Sequence, residues 1–328
     1  MGKITVLGSN SFSGSHFVDF ALEQGSEVIG MSRSPEPHPV FLPYKKKGNA
    51  LFRFYQLDLN RDLAAIMQIV EEFRPDYIVN FAAQSMVAES WQNPEHWFQT
   101  NVVATIKFHD RLRNCDFLKK YVHISTPEVY GPLEGSVREN TNYNPSTPYA
   151  VSRAAADMSL MTFYKAYNFP VVFTRAANVY GPGQQLYRII PRTILFFLVG
   201  RKLQLHGGGH SVRSFIHIRD VADGTLRVAR ESLLGDIYHF STPRNVSIRS
   251  LVEMIAKQLN VSFEEHVEVV EERLGKDAAY FLDSTKAREK LGWKDQISLE
   301  QGIEETIGWV RDNLDEIRKQ PLDYIHKP

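Results

Sequence analysis

The N-terminal half of this chain alternates short apolar runs, rich in β-branched residues, with longer amphipathic stretches. The runs have the length of strands, and the stretches repeat apolar residues at helical spacing. This alternation predicts an α/β protein with a doubly wound parallel sheet, in which ligands bind at the carboxyl ends of the strands. The predicted strands are KITVLG (3–8), EVIGMS (27–32), FRFYQLDL (52–59), YIVNFA (77–82), YVHIST (121–126) and VVFTRAANVYG (171–181). The predicted helices cover 14–24, 61–73, 97–114 and 149–167.

Beyond residue 181 the alternation loosens, which predicts a smaller C-terminal lobe laid over the sheet. A glycine cluster at 207–209 precedes a possible returning strand, SFIHI (214–218), and residues 298–320 have a charged helical pattern. The stretch 32–49 is rich in proline and lysine, which predicts an exposed loop after the second strand. The predicted domains are 1–180 with a return segment at about 214–241 for the sheet, and 181–213 with 242–328 for the lobe.

Composition narrows the class of partner. The 328 residues are 43% apolar and 23% charged, and 38 basic side chains balance 38 acidic ones, so neither a nucleic acid nor a membrane surface is expected as a partner. The single cysteine, Cys115, excludes an internal disulfide framework and fits a reducing compartment. The opening MGKITVLGSN has no leader pattern, and the apolar run at 193–200 is too short to span a bilayer. A cytoplasmic location is therefore expected.

A glycine-rich turn links the first predicted strand to the first predicted helix. Gly8, Ser11 and Gly14 in GSNSFSG have the spacing of a dinucleotide-binding turn, and Phe12 is assigned to the same site. Small residues there permit the tight turn, the approach of backbone N–H groups to a pyrophosphate, and close packing of helix on strand. Ser11 is a departure, since it adds a Cβ near the diphosphate. The alternative is a plain strand-to-helix turn.

The end of the second predicted strand bears on the choice of cofactor. NAD binding favours an acidic residue there, but the chain has Ser32 and Arg33, a hydroxyl beside a guanidinium that suits a 2′-phosphate. NADP is therefore favoured, with NAD as the alternative, and Arg33 could equally be a solvated loop cation. Asp58 and Leu59, at the end of the third predicted strand, are placed to reach the adenine, although an Asp at a strand end often caps a helix.

A hydroxyl and a carboxylate follow the fifth predicted strand in HISTPEVYG (123–131). Thr126 and Glu128 are two residues apart, so an extended backbone would direct both into one cavity. The alternative for Glu128 is a strand-end acid paired with a lysine.

The stretch STPYAVSR (146–153) offers a second candidate pair. Tyr149 and Arg153 are separated by four residues and share a face of the predicted helix. Thr147 suits a helix N-cap and Pro148 the first helical position, so an ordinary helix start explains the same spacing. A titratable tyrosine usually has a lysine at the position that Arg153 takes here.

Taken in order, these motifs resemble the extended short-chain dehydrogenase/reductase family, and within it the nucleotide-sugar 4,6-dehydratases. The resemblance covers nearly the whole chain, and the series is more specific than any single motif. It implies a Rossmann N-terminal domain, a sugar-nucleotide-binding lobe, and a homodimer or a dimer of dimers formed through helices. The motifs are the glycine turn, NFAAQS (80–85), STPEVYG, the Tyr149–Arg153 pair, RAANVYGP, VRSFIHIRDVADG (212–224), RLGKDAAYFLD (273–283) and KLGW (290–293).

The resemblance also implies roles for individual residues. Tyr149, with Thr126 bound to the same oxygen, would take the proton of the sugar 4-hydroxyl during transient oxidation at C4. Arg153 would lower the pKa of Tyr149, and Glu128 would remove the C5 proton before water leaves from C6 and the cofactor is regenerated. Ala82 and Ala83 fall in the cofactor site. The residues implied in substrate binding are Gln84, Ser85, Asn178, Arg188, Arg213 and Arg273.

Two departures from the pattern matter. The dTDP-glucose enzymes have an aspartate before the glutamate as general acid, whereas this chain has Pro127, which donates no proton. GDP-mannose dehydratases also have a non-acidic residue there, so a GDP-linked hexose is favoured, and Glu128 or a water would deliver the proton. The second departure is Arg153, whose guanidinium stays charged but is wider than an ammonium.

Other readings remain open from the sequence. A 4-epimerase, a decarboxylase or a 5,6-dehydratase would use the same cofactor, and a non-catalytic cofactor-binding protein is a further alternative. His206 and His210 flank three glycines, and a hairpin turn explains them better than a metal site. Trp97, Phe98 and Phe108 are expected to pack in the core or on a dimer face.

Overall fold

The computed structural model describes residues 2–45, 50–132, 135–271 and 281–327. Its strands are β1 (Lys3–Leu7), β2 (Glu27–Ser32), β3 (Phe52–Gln56), β4 (Tyr77–Asn80), β5 (Lys120–Ile124), β6 (Ser136–Val137), β7 (Val171–Ala176), β8 (Asn178–Tyr180), β9 (Leu203–His206), β10 (Val212–His217), β11 (Ile237–Phe240), β12 (Asn245–Ser247), β13 (Val267–Val270) and β14 (Phe281–Leu282). Its α-helices are α1 (Phe12–Glu23), α2 (Leu63–Phe73), α3 (Val87–Gln92), α4 (Pro94–Phe98), α5 (Thr105–Leu112), α6 (Pro148–Tyr167), α7 (Ile189–Leu198), α8 (Ile218–Glu231), α9 (Ile248–Leu259), α10 (Phe263–His266), α11 (Thr285–Leu291), α12 (Leu299–Asp312) and α13 (Leu314–Ile317).

Seven parallel strands form the main sheet, in the order β11-β7-β5-β4-β1-β2-β3. The strand order reverses between β1 and β4, which is the switch point where sheets of this type bind ligands. The predicted doubly wound sheet is confirmed. The sixth predicted run, 171–181, differs because it divides at Ala177 into β7, which stays in the sheet, and β8, which leaves it.

Helices cover both faces of the sheet. Helices α1 and α8 pack together on one face, and α2, α5 and α6 lie on the other. Neighbouring strand residues therefore enter different cores: Val79 belongs to the first and Ile78 to the second, and both are fully buried. Burial on two faces is why these strands are continuously apolar rather than alternating.

The C-terminal lobe has its own core between α7, α9 and α12, centred on residues such as Ile194, Ile255 and Ile303. A three-stranded sheet, β12-β10-β8, lies beside it. The SFIHI run does form a strand, β10, but it joins this small sheet, and β11 is the strand that returns to pair with β7. The domain boundaries expected from the sequence remain a prediction.

The segment after β2 differs from the exposed loop predicted for 32–49. Two short 3₁₀ turns, Pro39–Phe41 and Pro43–Lys45, bury Val40, Leu42 and Tyr44. Trp309 of α12 donates a hydrogen bond from Nε1 to the Val40 carbonyl at 3.0 Å. The apolar side chains between the prolines are buried, and the Trp309 hydrogen bond ties the segment to the lobe. This segment therefore anchors the lobe to the sheet domain. Residues 46–49 lie outside the described part of the chain.

The predicted helix 97–114 is interrupted. A π-helical turn, Gln99–Ala104, separates α4 from α5, and its Asn101 is fully buried. Trp97 and Phe108 are core residues with no exposed surface, whereas Phe98 is partly exposed. Within the described ranges, none of the helices combines the length and apolarity that crossing a bilayer requires.

Candidate active site

A cleft of about 730 Å³ opens at the carboxyl ends of the strands, between the sheet domain and the lobe. A smaller pocket of about 160 Å³ adjoins it beside β1, β2 and β4, and Ser11 and Ala83 line both. The predicted cofactor residues that line the smaller pocket are Gly8, Ser11, Ser32, Arg33, Asp58, Leu59, Ala82 and Ala83. The predicted residues that line the cleft are Ser11, Phe12, Ala83, Ser85, Thr126, Glu128, Tyr149, Arg153, Asn178, Arg188 and Arg213.

The glycine turn is packed too closely for larger residues at its ends. Gly8 has φ +73°, and a Cβ there would lie 2.7 Å from the Ala82 nitrogen. A Cβ on Gly14 would lie 2.1 Å from the Gly8 carbonyl oxygen, so helix and strand touch at this point. Gly14 therefore serves packing and does not line either pocket.

Ser11, the departure noted in the sequence, is the N-cap of α1. Its Oγ accepts a hydrogen bond from the Gly14 N–H at 3.1 Å and donates one to the Gly8 carbonyl at 2.7 Å. The hydroxyl thus fastens the turn, and Ser11 and Phe12 present the N-terminal end of α1 to the cleft. An α-helix N-terminus beside a close-packed glycine turn fits the pyrophosphate of a dinucleotide.

Ser32, Arg33 and Asp58 stand together at the outer end of the smaller pocket. The Ser32 Oγ accepts a hydrogen bond from the backbone N–H of Asn10 at 3.2 Å, and Arg33 Nη2 donates to the Lys327 carbonyl at 3.0 Å. The Asp58 carboxylate accepts a hydrogen bond from the Asn60 N–H at 2.9 Å. Asp58 therefore fixes the turn that follows β3 and lines the pocket as well.

Thr126 and Glu128 meet in the cleft for a reason other than the one predicted. The backbone is not extended here, because residues Pro127–Tyr130 form a 3₁₀ turn with Thr126 as its N-cap. The Thr126 Oγ1 accepts a hydrogen bond from the Glu128 N–H at 3.4 Å. The turn brings the carboxylate round to the same side as the hydroxyl, and Pro127 takes the first position of the turn, where its missing N–H costs nothing.

Tyr149 opens α6, and its phenol group is buried beside Thr126 and Glu128. Burial and the Glu128 carboxylate raise the pKa of Tyr149 to about 12, while Arg153, a hydrogen bond with Thr126, and Arg188 lower it. The expected action of Arg153 on the pKa of Tyr149 is present, but burial outweighs it in this state. The helix-start features are present too, since Thr147 is the N-cap and accepts a hydrogen bond from the Ala150 N–H.

Arg153 is held by the end of β5. Arg153 is 2% exposed, and its Nη2 donates to the Ile124 carbonyl and to His123 Nε2, the latter at 3.2 Å. Burial and the neighbouring Arg153 and Arg175 charges hold the pKa of His123 well below its usual range, so His123 is neutral and can accept this hydrogen bond. Arg153 thus reaches the cleft as a fixed cation with its orientation set from the sheet.

Asp157 completes this network and was missed in the sequence. Its carboxylate accepts hydrogen bonds from Ser125 Oγ at 2.7 Å and from Arg175 Nη2 at 2.8 Å, and His123 Nε2 lies 3.5 Å from it. The spacing of Tyr149, Arg153 and Asp157, each four residues after the last, was the available signal, because it places all three on one face of α6.

The predicted substrate residues divide into two groups. Ser85, Asn178, Arg188 and Arg213 line the cleft. Gln84 does not line it: its side chain is buried, and Nε2 donates to the Lys327 carbonyl at 2.7 Å. Alternate residues of the segment after β4 point to opposite sides, which explains why Ser85 faces the cleft and its neighbour does not. Arg273 lies outside the described residues.

The glycine cluster beside His206 and His210 forms a tight turn, Gly207–Gly209, but not a β-hairpin. The strands on either side belong to different sheets, since β9 pairs with β13 and β10 with β8 and β12. In the parts of the chain that are described, no group of three or more His, Cys, Asp or Glu side chains is placed to hold a metal ion.

Comparison with known proteins agrees with this geometry. The GDP-mannose 4,6-dehydratase family model matches residues 5–306. A dTDP-glucose 4,6-dehydratase of Xanthomonas campestris pv. campestris is 30% identical over 95% of this chain and 94% of its own. A dTDP-glucose 4,6-dehydratase from Streptomyces venezuelae, solved with NAD bound, superposes with a TM-score of 0.88 at 30% identity, covering 96% of this chain and 98% of that one. A UDP-glucose 4-epimerase from Thermotoga maritima, solved with UDP-glucose, gives a TM-score of 0.87 at 27% identity over 95% and 99% of the two chains. The chain therefore belongs to the nucleotide-sugar 4,6-dehydratase group of the extended short-chain dehydrogenase/reductase family.

Proposed function

We propose that the protein converts a nucleotide-diphosphate hexose to its 4-keto-6-deoxy form, with no net oxidation. The observation that carries this proposal is the meeting of Thr126, Glu128 and Tyr149 in one cleft beside the glycine turn. A 4-epimerase needs no base at C5, so a carboxylate in this place favours elimination over simple epimerisation. A decarboxylase or a 5,6-dehydratase would use the same carboxylate and is distinguished by its product.

The cofactor site would hold a nicotinamide dinucleotide, with its pyrophosphate at the N-terminus of α1 and its adenosine in the smaller pocket. When bound, the nicotinamide supplies a reversible acceptor for the hydride of C4. We favour NADP because β2 ends in Ser32 and Arg33, without an acidic side chain at that point. NAD is the alternative, since related dehydratases have been solved with NAD bound.

Tyr149 would accept the proton of the sugar 4-hydroxyl, and Thr126 would hold the same oxygen. The phenol lies next to one carboxylate and two cations, so the charge balance of the cleft decides whether it is ionised. Of the two cations, Arg153 is the one that is buried and held in place. Glu128 raises the pKa of Tyr149 while it is charged, so taking up the C5 proton would relieve that effect.

Glu128 would remove the C5 proton, and the C6 hydroxyl would then leave as water. The position before Glu128, which could have supplied a general acid, is Pro127. The proton that the departing hydroxyl needs would therefore come from Glu128 itself, carrying the one it took from C5, or from a water. One carboxylate would in this way serve as base and then as acid. The hydrogen taken from C4 would then be added at C6, and C5 would regain a proton from a water.

The outer part of the cleft would hold the sugar diphosphate. Arg188 lies over the Tyr187 ring at 5.3 Å, and Asn178 is fixed by a hydrogen bond from Nδ2 to the Ser214 carbonyl at 3.1 Å. Arg213 faces the same space, and guanidinium groups suit phosphate oxygens. Arg273 remains a predicted phosphate ligand.

We favour a GDP-linked hexose because of Pro127 and because the matching family model is that of GDP-mannose 4,6-dehydratase. Relatives named dTDP-glucose 4,6-dehydratase make dTDP-glucose the second candidate.

The deciding experiment incubates the protein with GDP-mannose, GDP-N-acetylglucosamine, dTDP-glucose and UDP-N-acetylglucosamine and follows products by NMR. A 4-keto-6-deoxy product whose C4 hydrogen has moved to C6 is expected from one of them. Inversion at C4 alone, or no turnover of any sugar, would overturn the proposal.

A homodimer, or a dimer of dimers, is proposed from the helices on one face of the sheet. Val103 of the π turn and Val151 and Met158 of α6 are exposed apolar residues on these neighbouring helices. A Met158→Glu change is expected to shift the mass measured by light scattering toward the monomer. Leu233→Glu, an exposed apolar site elsewhere on the surface, is the matched control.

A further inference from the structure

Residues 322–327 contact both the lobe and the sheet domain, beside the cleft. At the lobe, Arg192 of α7 donates to the Leu322 carbonyl and to Asp323 Oδ1, the latter at 2.7 Å. The ring of Tyr324 meets Tyr187 edge-on, with centroids 5.6 Å apart. This segment therefore borders the part of the cleft that is assigned to the substrate.

The same segment is fastened to the sheet domain near the cofactor pocket. His326 stacks on Trp97 with the ring planes 9° apart, and its Nε2 is 2.9 Å from His96 Nδ1. The Lys327 carbonyl accepts hydrogen bonds from Gln84 at 2.7 Å and from Arg33 at 3.0 Å. Buried Gln84 and stacked His326 thus fix the backbone of Lys327 independently of its side chain.

The Lys327 side chain extends to the loop that borders the cofactor pocket. Its Nζ donates to Ser34 Oγ at 3.1 Å, and Ser34 lines that pocket with Ser32 and Arg33. Among the described residues, no carboxylate lies within salt-bridge distance of Lys327. The loop that carries Ser34 is itself held by the glycine turn, because Asn10 Nδ2 donates to the Ser34 carbonyl at 2.9 Å.

We propose that Lys327 is a cofactor-specificity residue, the second cation of a 2′-phosphate site that it completes with Ser32, Arg33 and Ser34. An ammonium, a guanidinium and two hydroxyls at one pocket end are the donors that a phosphate monoester prefers. A ligand with a phosphate at the ribose 2′ position would gain charge-assisted contacts with both the Lys327 and the Arg33 side chains, whereas a ligand with a free 2′-hydroxyl would not. The inference rests on the proposed function in taking the ligand to be a nicotinamide dinucleotide, and it deepens the preference for NADP proposed there.

The test compares two nucleotides that differ in the 2′-phosphate. Purified full-length protein is titrated in a calorimeter with adenosine 2′,5′-bisphosphate and with AMP, and the same is done for Lys327→Met. We expect the variant to bind the bisphosphate about tenfold more weakly, the loss of roughly one charge-assisted contact, and to bind AMP unchanged. Lys319→Met is the matched control, because Lys319 is an exposed lysine of the preceding segment that pairs with Glu316.

A second arm tests whether the two cations act on the same phosphate. Arg33→Met alone and combined with Lys327→Met should show losses on the bisphosphate that are not additive, while AMP binding stays the same. Wild-type protein is also incubated with equal amounts of NAD and NADP, desalted, and the retained nucleotides are quantified; NADP should predominate, and less so in Lys327→Met.

Unchanged bisphosphate binding by Lys327→Met, or equal affinity of the wild type for the bisphosphate and AMP, would overturn the inference. Both outcomes are separate from the dehydratase assay. If the protein forms the dehydrated product but binds the bisphosphate and AMP equally, only the role of Lys327 is refuted. If the protein discriminates between the bisphosphate and AMP but forms no dehydrated product, the 2′-phosphate site stands and the proposed reaction is refuted.

Discussion

The inner end of the cleft and the outer end of the adjoining cofactor pocket are built differently. At the inner end, Arg153 is almost fully buried, and its guanidinium is held by hydrogen bonds to His123 and to the Ile124 carbonyl of β5, beside the buried Asp157–Arg175 pair. At the outer end, Arg33 and Lys327 are surface groups from segments 294 residues apart in the chain, joined by one hydrogen bond. We propose that the chemistry takes place at the buried end and that phosphates are recognised at the exposed one.

This difference predicts where substitutions act. A buried charge that loses its partner pays a full desolvation cost, so changes at the inner end should affect both catalysis and folding. An exposed cation is solvated with or without its ligand, so changes at the outer end should alter affinity and leave the fold intact.

The largest effect is expected from Glu128→Gln. The amide removes the base for C5 and the carrier of the proton for C6, so turnover should fall by about a thousandfold, the usual scale of general acid–base catalysis. Oxidation at C4 should survive, visible as a build-up of reduced nicotinamide absorbance. Glu253→Gln, an exposed glutamate paired with Arg249, is the control. Full turnover by Glu128→Gln would contradict its assigned role.

Asp157→Asn tests the rigidity of the inner end through stability. The change leaves Arg175 buried without a compensating charge, and breaking a buried pair costs about 3–5 kcal/mol of unfolding free energy. Chemical denaturation measures this. Asp110→Asn, which breaks the exposed Asp110–Arg113 pair, should cost less than about 1 kcal/mol. Equal losses of unfolding free energy in the two variants would show that the buried network contributes no more to stability than an exposed ion pair.

Arg153 tests whether the buried cation sets the pKa of Tyr149. If phenolate is the active form, activity rises with pH through that pKa, and removing a nearby positive charge raises it. Arg153→Ala should therefore move the acid-side midpoint of the pH profile up by about 1–2 units and cut turnover at neutral pH by about ten- to a hundredfold. Arg153→Lys keeps the charge and should retain substantial activity. A near-normal profile for the alanine variant would exclude Arg153 from the pair.

The smallest effect is expected at the outer cleft. Arg188→Gln removes one exposed, proposed phosphate ligand, so KM should rise about tenfold. Its kcat should fall less than that of Arg153→Ala, because Arg188 lowers the pKa of Tyr149 less than Arg153 does. Steady-state kinetics separates the two constants. Arg201→Gln, an exposed arginine just beyond α7, is the control. A drop in kcat larger than the rise in KM would mean that the outer end also governs the chemistry.

The elements of the sheet domain were predictable because their signals are local. Continuous apolar runs predicted β1, β2, β4 and β5 nearly to the residue at their starts, and Thr147 with Pro148 predicted the start of α6. The 3₁₀ turn after Thr126 was not predicted, because its effect on Glu128 depends on how one turn closes rather than on residue type. The burial of Gln84 away from the cleft and the break of the 97–114 helix at Asn101 likewise depend on neighbours distant in the chain.

By itself the sequence determined the architecture and most of the residues that meet in the cleft. Strand and helix periodicity, caps and close-packed glycines act over a few residues, and the carboxyl ends of parallel strands gather whatever follows them. The tertiary structure alone decided which partners those residues have: Asp157 and His123 behind Arg153, and Lys327 beside Arg33. The physical reason is that a hydrogen bond between residues far apart in the chain leaves no pattern at either site until the fold brings the two together.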